Sequence, residues 1–338
     1  MLRISSSKWG HMTSQQVIRN YLVIAGLYTL SASVIWGVNT LFLLDAGLNI
    51  SEVFIANAAF TAGMVLFEIP TGVVADTQGR RASFLLSAII LMLSTFGYVA
   101  MSMIGAGIIP FVIMSIFLGL GFTFYSGAVE AWLVDALNAT NYEGELDQVF
   151  ARGSMITGGA MLIGSVGGGI IGTLDLSTPF IVRGVMLGLL FVYAYFTMHD
   201  IGYEKKDSKF SQIPKQMRDL AQDSITYGWR EPHIRLLMIA SLIQSGFMMW
   251  AFYAWQPYLL DLWGNPDAIW ISGFVAAAIS ISTIVGNLIV ERIITHRGKR
   301  TTVLLSGLII FIVAMVGVGL AQNFWLATGL LLVGMMGI

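Results

Sequence analysis

A polytopic bundle of membrane-spanning α-helices is the fold that this sequence predicts, and three observations predict it. The 338 residues are 56% hydrophobic and 11% charged, with a mean hydropathy of +0.78. Soluble domains carry roughly 25% charged residues, so this chain cannot cover a water-facing surface and needs lipid as much of its solvent. Its apolar residues fall into runs long enough to cross a bilayer core, which takes about 20 residues of helix. Its cations fall in alternate segments between those runs, as a chain threaded back and forth through a membrane requires.

Nine runs are complete, at 21–44, 51–75, 82–104, 108–137, 150–172, 178–198, 234–260, 268–290 and 301–321. The first follows a polar start with Arg3, Lys8 and Arg19. It is too long for a signal-peptide core and has no small-residue cleavage site, so it reads as a retained helix. Pro257 is expected to kink the seventh near its outer end. A tenth run begins at Phe324 and has 15 residues to Ile338, roughly 22 Å of helix against a core about 30 Å thick. The chain is therefore expected to be a fragment of a longer protein.

With the N-terminus in the cytoplasm, Arg3, Lys8, Arg19, Arg80, Arg81, Arg152, Lys205, Lys206, Lys209, Lys215, Arg218, Arg230, Arg235, Arg292, Arg297, Lys299 and Arg300 all fall on that side. These are seventeen of the eighteen Lys and Arg residues. Arg183, near the start of the sixth run, is the exception; as an ionisable residue inside the bilayer it is a functional candidate beside Glu68 and Glu130, and snorkelling to the outer surface is the structural reading set against it. The turns at Asp45, Asp175, Asp261 and Asp267 fall outside. The longest polar stretch, 199–233, divides the chain into a six-helix bundle at 1–199, a cytoplasmic loop at 200–233 and a four-helix remainder at 234–338. The middle of that loop, 209–227, suits an amphipathic helix at the membrane surface. A basic turn follows the second run (Gly79, Arg80, Arg81) and another follows the eighth (Gly298, Lys299, Arg300). The six-helix offset is the sign of a duplicated half.

Between the second and third runs, Gly72 is followed by Asp76, Gly79, Arg80 and Arg81. Gly72 would let another helix approach closely, Gly79 would permit a tight turn, and Asp76 with the arginines would form a charge cluster. This spacing, preceded by Glu68 and Pro70, resembles the loop signature of the major facilitator superfamily, with Thr77 where that family usually has a basic residue. On the fifth run Gly164, Gly168 and Gly169 resemble the family's antiporter motif, Gly-Pro-x-x-Gly-Gly, with Ser165 in place of proline. Ordinary small-residue helix packing is the other reading of these glycines. On the fourth run Gly119 and Gly121 resemble part of a family motif, but the arginine linked to proton coupling is missing from 111–118.

The resemblance implies a bacterial drug-efflux-like member of two six-helix halves, truncated after about ten of twelve helices. It implies a multi-pass protein of the cytoplasmic membrane that moves a small solute by alternating access. In it Gly72, Asp76, Gly79, Arg80 and Arg81 would form a gate with Asp135 and Arg152. Intramembrane Glu68 and Glu130 are the candidate proton carriers, since burial raises a carboxyl pKa. They lie about 12 Å from Asp76 and about 7.5 Å from Asp135 along their helices; partnership in the gate is the alternative for each. The helices that line the family's cavity would offer Trp36, Asn39, Phe122, Tyr125, Gln244, Trp250, Tyr253 and Gln256. Aromatics and amides suit a hydrophobic or weakly polar solute, although aromatics also gather at membrane interfaces.

The expected partners are a small-molecule substrate, protons as a coupling ion and the lipid bilayer, with no nucleic acid, no cofactor and a monomeric state. The chain has no cysteine, which excludes thiolate chemistry. His11, His199, His233 and His296 form no spaced pair for a metal, and no nucleoside-triphosphate loop is present. An enzyme is therefore not expected. An uptake symporter or facilitator of the same fold, and a non-transporting scaffold or sensor, are the alternatives.

Overall fold

The computed structural model describes residues 12–203, 213–296 and 300–336. They form fourteen helices and, among these residues, no strand. The helices are α1 (Ser14–Trp36), α2 (Asn39–Asp45), α3 (Ile50–Gln78), α4 (Arg80–Met103), α5 (Ile108–Ser126), α6 (Val129–Ala139), α7 (Leu146–Gly172) and α8 (Thr178–Thr197). After them come α9 (Ile213–Arg230), α10 (Pro232–Tyr253), α11 (Trp255–Trp263), α12 (Trp270–His296), α13 (Arg300–Leu320) and α14 (Phe324–Met336). The second basic turn, at Gly298 and Lys299, lies outside the described residues, as do Arg3, Lys8, His11, Lys205, Lys206, Lys209 and Arg297.

Caps explain why helices begin before the apolar runs. The Gln16 N–H donates to the Thr13 hydroxyl and the Thr13 N–H to the Gln16 side chain, a reciprocal box that starts α1 seven residues ahead of Tyr21. Asn49 and Glu52 start α3 in the same way. Asn20, inside the polar extension of α1, is buried; its amide donates to the Thr197 carbonyl and its oxygen accepts from the Tyr193 hydroxyl.

Three expected spans are each broken into two helices: α1/α2 at Gly37, α5/α6 at Gly127 and α10/α11 at Ala254. The last break follows from Pro257, which has no N–H for the carbonyl four residues earlier, that of Tyr253, and crowds it. The first leaves backbone groups that lipid cannot satisfy. Gln256 satisfies them: its amide donates to the Trp36 carbonyl at 3.0 Å, and its oxygen accepts from the Thr40 N–H at 3.0 Å. Gln256, expected in a substrate cavity, is instead fully buried at this junction, because its amide matches the donor and the acceptor that the break exposes.

Seven helices of the described residues, counting α5 and α6 as one span, are long and apolar enough to cross a membrane. Their outer faces carry exposed apolar side chains such as Val65, Met155, Ile163 and Leu189, which a lipid solvent accommodates. The amphipathic α9 also exposes Ile225, Tyr227 and Trp229. Trp263, Trp270, Phe324 and Trp325 pack edge to face at the ends of α11, α12 and α14 away from the basic side, as in an interfacial belt.

Two hydrophobic cores run through the bundle. One joins residues of α1–α8, including Phe42, Phe84, Trp132 and Leu187; the other joins residues of α11–α14, including Trp255, Ile279 and Leu331. They meet on the far side, opposite the basic turns. There a Cβ on Gly273 of α12 would lie 2.6 Å from the Ser165 carbonyl oxygen and 2.8 Å from Gly169 Cα, and one on Gly37 would lie 3.1 Å from Gly273 Cα. The α7 glycines thus divide their work. Gly169 faces α12, while Gly164 and Gly168 face α1, where a side chain would strike Ser33 and the Val34 carbonyl.

Gly273→Val should push α7 and α12 apart at a cost of about 1–3 kcal/mol, lowering the melting temperature of the detergent-purified chain. Gly319→Val, where a Cβ has open space, should leave it unchanged. Equal melting temperatures would remove the close crossing as a source of stability.

Candidate functional site

Two sites line up along the first bundle: a charge cluster at the basic side and a cavity nearer the far side. The cluster grows from the α3–α4 turn. Gly79 sits at φ 104°, a region closed to most side chains, and the space a Cβ would need is filled by the Asp200 carboxylate. That carboxylate accepts the Arg81 N–H at 2.9 Å. It therefore caps α4 from the far end of the chain segment that follows α8, a task that Gly79 cannot perform. Burial pushes the Asp200 carboxyl up, against the pull of Arg81 and Arg80. His199 is held below its usual range by burial and by the Arg81 charge, against the pull of Asp200.

The turn brings together most of the expected gate. Arg80 pairs with Asp76 at 2.9 Å and lies 3.7 Å from Asp135, the second distance being an ion pair without a hydrogen bond. Arg81 turns the other way: its guanidinium donates to the Tyr195 carbonyl at 2.7 Å and sits 4.9 Å from the centre of the Tyr195 ring. The Tyr203 hydroxyl donates to the Asp76 carbonyl at 2.6 Å, and the buried Trp132 indole to the His199 carbonyl at 2.7 Å. Asp200, Tyr195, Tyr203 and Trp132 are absent from the sequence reading, since only the packing of α8 against α4, and of the segment after α8 against α6, makes them neighbours. Thr77 hydrogen-bonds back to the Val73 carbonyl.

Two expected gate residues stand apart. Arg152 is exposed on α7, in a groove with Gln15 and Arg19, and makes no ion pair among the described residues. The start of α7 points it away from the α3–α4 turn and towards α1. Gly72 is also exposed, and no helix of the described residues crosses it. Glu68 lines a cleft of about 170 Å³ with Thr71, Asp76, Arg80 and Thr123. Glu130 lines a second, of about 150 Å³, with Tyr21, Tyr125, Ser154 and Thr157. Both carboxylates are exposed and without an ion pair among the described residues.

The cavity holds about 290 Å³ and draws side chains from α1–α5, α7, α8 and α10. Of the expected residues, Trp36, Asn39, Phe122 and Tyr253 line it. The side chains of Gln244 and Trp250 lie outside the described residues. Tyr125 is displaced from the cavity lining: it stacks flat on Tyr28, ring centres 3.4 Å apart, and its other side meets the Glu130 cleft. Asn39 donates to Asn57 at 3.1 Å, and Asn57 to the Val53 carbonyl at 2.9 Å.

Arg183 overturns the snorkelling reading. It does not snorkel outward; it lines the cavity with Tyr28, Asn57 and Tyr98. The reason is its place on α8. Phe180, Leu187, Leu190 and Ala194 are buried, and Arg183 shares their helical face, three residues after the first and four before the second. That periodicity was the available signal.

A model of the Major Facilitator Superfamily matches residues 21–338. The uncharacterized MFS-type transporter YxaM of Bacillus subtilis (strain 168) is 21% identical over 272 residues, covering 79% of this chain. The chain spans 65% of the length of that curated relative. Among solved structures, the nucleoside transporter NupG superposes with a TM-score of 0.78 at 9% identity, over 95% of this chain and 78% of NupG. A bacterial homolog of the human lysosomal transporter Spinster, inward-facing and unoccupied, gives 0.66 at 15% identity, over 96% and 72%. The D-xylose-proton symporter gives 0.57 at 15% identity, over 96% and 80%. At these identities the likeness is one of fold.

Asp200→Ala should remove the cap of α4 and cost about 1 kcal/mol, seen as a lower melting temperature. Asp200→Asn, which keeps an acceptor, should recover most of it. An unchanged melting temperature in the alanine variant would show that the cap contributes nothing.

Proposed function

The chain belongs to the Major Facilitator Superfamily, a family of transporters rather than enzymes, and on that footing we propose that it is a secondary transporter moving a small solute with a largely apolar body. The observation that carries this reading is the cavity of about 290 Å³, walled by Phe60, Leu91, Leu118, Phe122 and Met161 and held between the close glycine contacts of the far side and a half-buried charge cluster. The glycine contacts of α7 and α12 close one route to the cavity. The exposure of Glu68, Gly72 and Glu130 leaves the basic side as the route in, and that is one end state of an alternating-access cycle.

The moving bodies are the bundle at 1–199 and the helices from 234 onward, joined by the loop at 200–233. The Asp76–Arg80–Asp135 cluster is the gate, and it acts when the basic side closes. The chain is a monomer in a bacterial cytoplasmic membrane with its N-terminus inside, as the cation asymmetry favours. The direction is efflux by antiport, supported by the glycine face at Gly164, Gly168 and Gly169. Glu68 and Glu130 are the carboxylates available to carry a proton, for they stand near the gate with no cation of their own.

A transport assay in vesicles tests the gate and the carriers together. Asp76→Asn should cut transport at least tenfold while leaving membrane insertion intact. Glu68→Gln or Glu130→Gln, whichever is the carrier, should abolish gradient-driven transport but preserve exchange. Full transport by Asp76→Asn removes the gate role; full gradient-driven transport by both single variants and by the double removes the carboxylates.

Orientation is tested separately, and the cysteine-free sequence makes the test direct. A cysteine at Lys209 should resist a membrane-impermeant thiol reagent in whole cells and react once the cells are opened. Ready labelling of intact cells would invert the topology.

A further inference from the structure

We propose that Arg183 recognises a single oxyanion on the solute, so that the substrate class is a small organic anion, a carboxylate or phosphate with an apolar body. Binding at this cavity stands on its own; only the statement that the bound molecule is carried rests on the transport reading above.

The first support is charge. A guanidinium stays protonated in proteins, and an unpaired charge inside a bilayer is costly. Among the described residues Arg183 has no ion pair and no side-chain hydrogen bond, its Nε is buried without a partner as are those of Arg80 and Arg81, and no Asp or Glu lines the cavity. The cation–π contact of the described residues belongs to Arg81, not Arg183. The two arginines of the gate show what a structural role looks like here: each has a carboxylate or a carbonyl within reach. Arg183 has an open space instead.

The second support is the set of polar groups around that space. Tyr98 is engaged with Ser115, and Asn57 is fixed between Asn39 and Val53. The Tyr28 and Tyr253 hydroxyls have no hydrogen bond among the described residues and line the same cavity. A guanidinium fork and two free hydroxyl donors on one cavity wall supply the kind of donors that an oxyanion, which accepts several hydrogen bonds at once, requires. The rest of the wall is apolar, and the volume corresponds to about ten waters at ~30 Å³ each. An amphipathic monoanion fits that description; a polyanion or a cation does not.

The test uses the full chain purified in detergent, with melting temperature and apparent affinity as readouts. The probes are benzoate, hexanoate and phenyl phosphate, set against the neutral benzamide and hexanamide. At least one oxyanion should raise the melting temperature of the wild type while its matched amide does not. The carboxylate and phosphate arms identify which oxyanion is preferred. Arg183→Gln should weaken oxyanion binding by about tenfold to a hundredfold, and Arg183→Lys should retain part of it. Amides that stabilise as well as oxyanions, oxyanion binding that survives in Arg183→Gln, or no response to any oxyanion would each overturn the proposal. The wild-type comparison decides the matter even where Arg183→Gln does not fold. Counterflow of radiolabelled probe in proteoliposomes separates the two readings: Arg183-dependent binding without counterflow sinks transport and spares recognition, and counterflow of neutral compounds alone does the reverse.

Discussion

The backbone contact of α7 with α12, at Gly169 and Gly273, is the constraint from which the rest of the arrangement follows. Lipid tails are as apolar as the side chains, so helices in a bilayer gain little from hiding apolar surface and associate through close packing and hydrogen bonds. Gly273 approaches the Ser165 carbonyl and the Gly169 and Gly37 backbones, so three helices converge where no side chain intervenes. That convergence packs α1, α7 and α12 tightly together on the far side. The first span breaks at this convergence, between α1 and α2. The break exposes a carbonyl and an N–H, and Gln256 from α11 closes both. The glycine contact and the Gln256 bridge thus hold the two cores together on that side.

Sequence reasoning reached the spans because hydropathy and charge asymmetry report on the solvent, and the solvent here is a bilayer. It also reached the Asp76–Arg80–Asp135 cluster, whose first two members are one helical turn apart around the α3–α4 turn. It missed Asp200, which reaches the same turn only through the packing of α8, and no local pattern marks that contact. The helix breaks were partly legible: Pro257 announced one, whereas the breaks at Gly37, which packs on α12, and at Gly127 carry no local signal beyond an ordinary glycine. Gln256 and Tyr125 were misplaced for a common reason. Residue type says that an amide or a phenol needs a partner in lipid, but not whether that partner is a solute, a backbone or another ring.

The arginines show how position sorts one chemistry into two uses. Arg80 and Arg81 sit at a helix start, where carboxylates and carbonyls from three helices converge and water is near. Their charge is offset locally, by half-buried carboxylates and carbonyls. Arg183 sits on the inward face of α8 between Phe180 and Leu187, with no anion among the described residues of the cavity wall. A site that leaves one charge unmatched favours whatever ligand matches it, since the desolvation cost of the arginine is already borne by the fold.

Charge at Arg183 also bears on the energy source. Outward movement of one negative charge across a membrane that is negative inside is favourable by about 2.3 kcal/mol per 100 mV. A monoanion leaving the cell would therefore be driven by the potential alone, to roughly a fiftyfold gradient at 100 mV. Proton exchange at Glu68 or Glu130 would add to that drive and would not be a condition of it. This accords with the lack of a charged residue at 111–118, where the family's coupling arginine would stand. The same arithmetic runs against uptake: a monoanion entering would have to climb the potential, would need one proton to cross electroneutrally on the pH gradient, and two for the potential itself to drive it inward. The binding charge and the coupling carboxylates are in this way one question, because the sign of the solute decides how many protons the cycle requires.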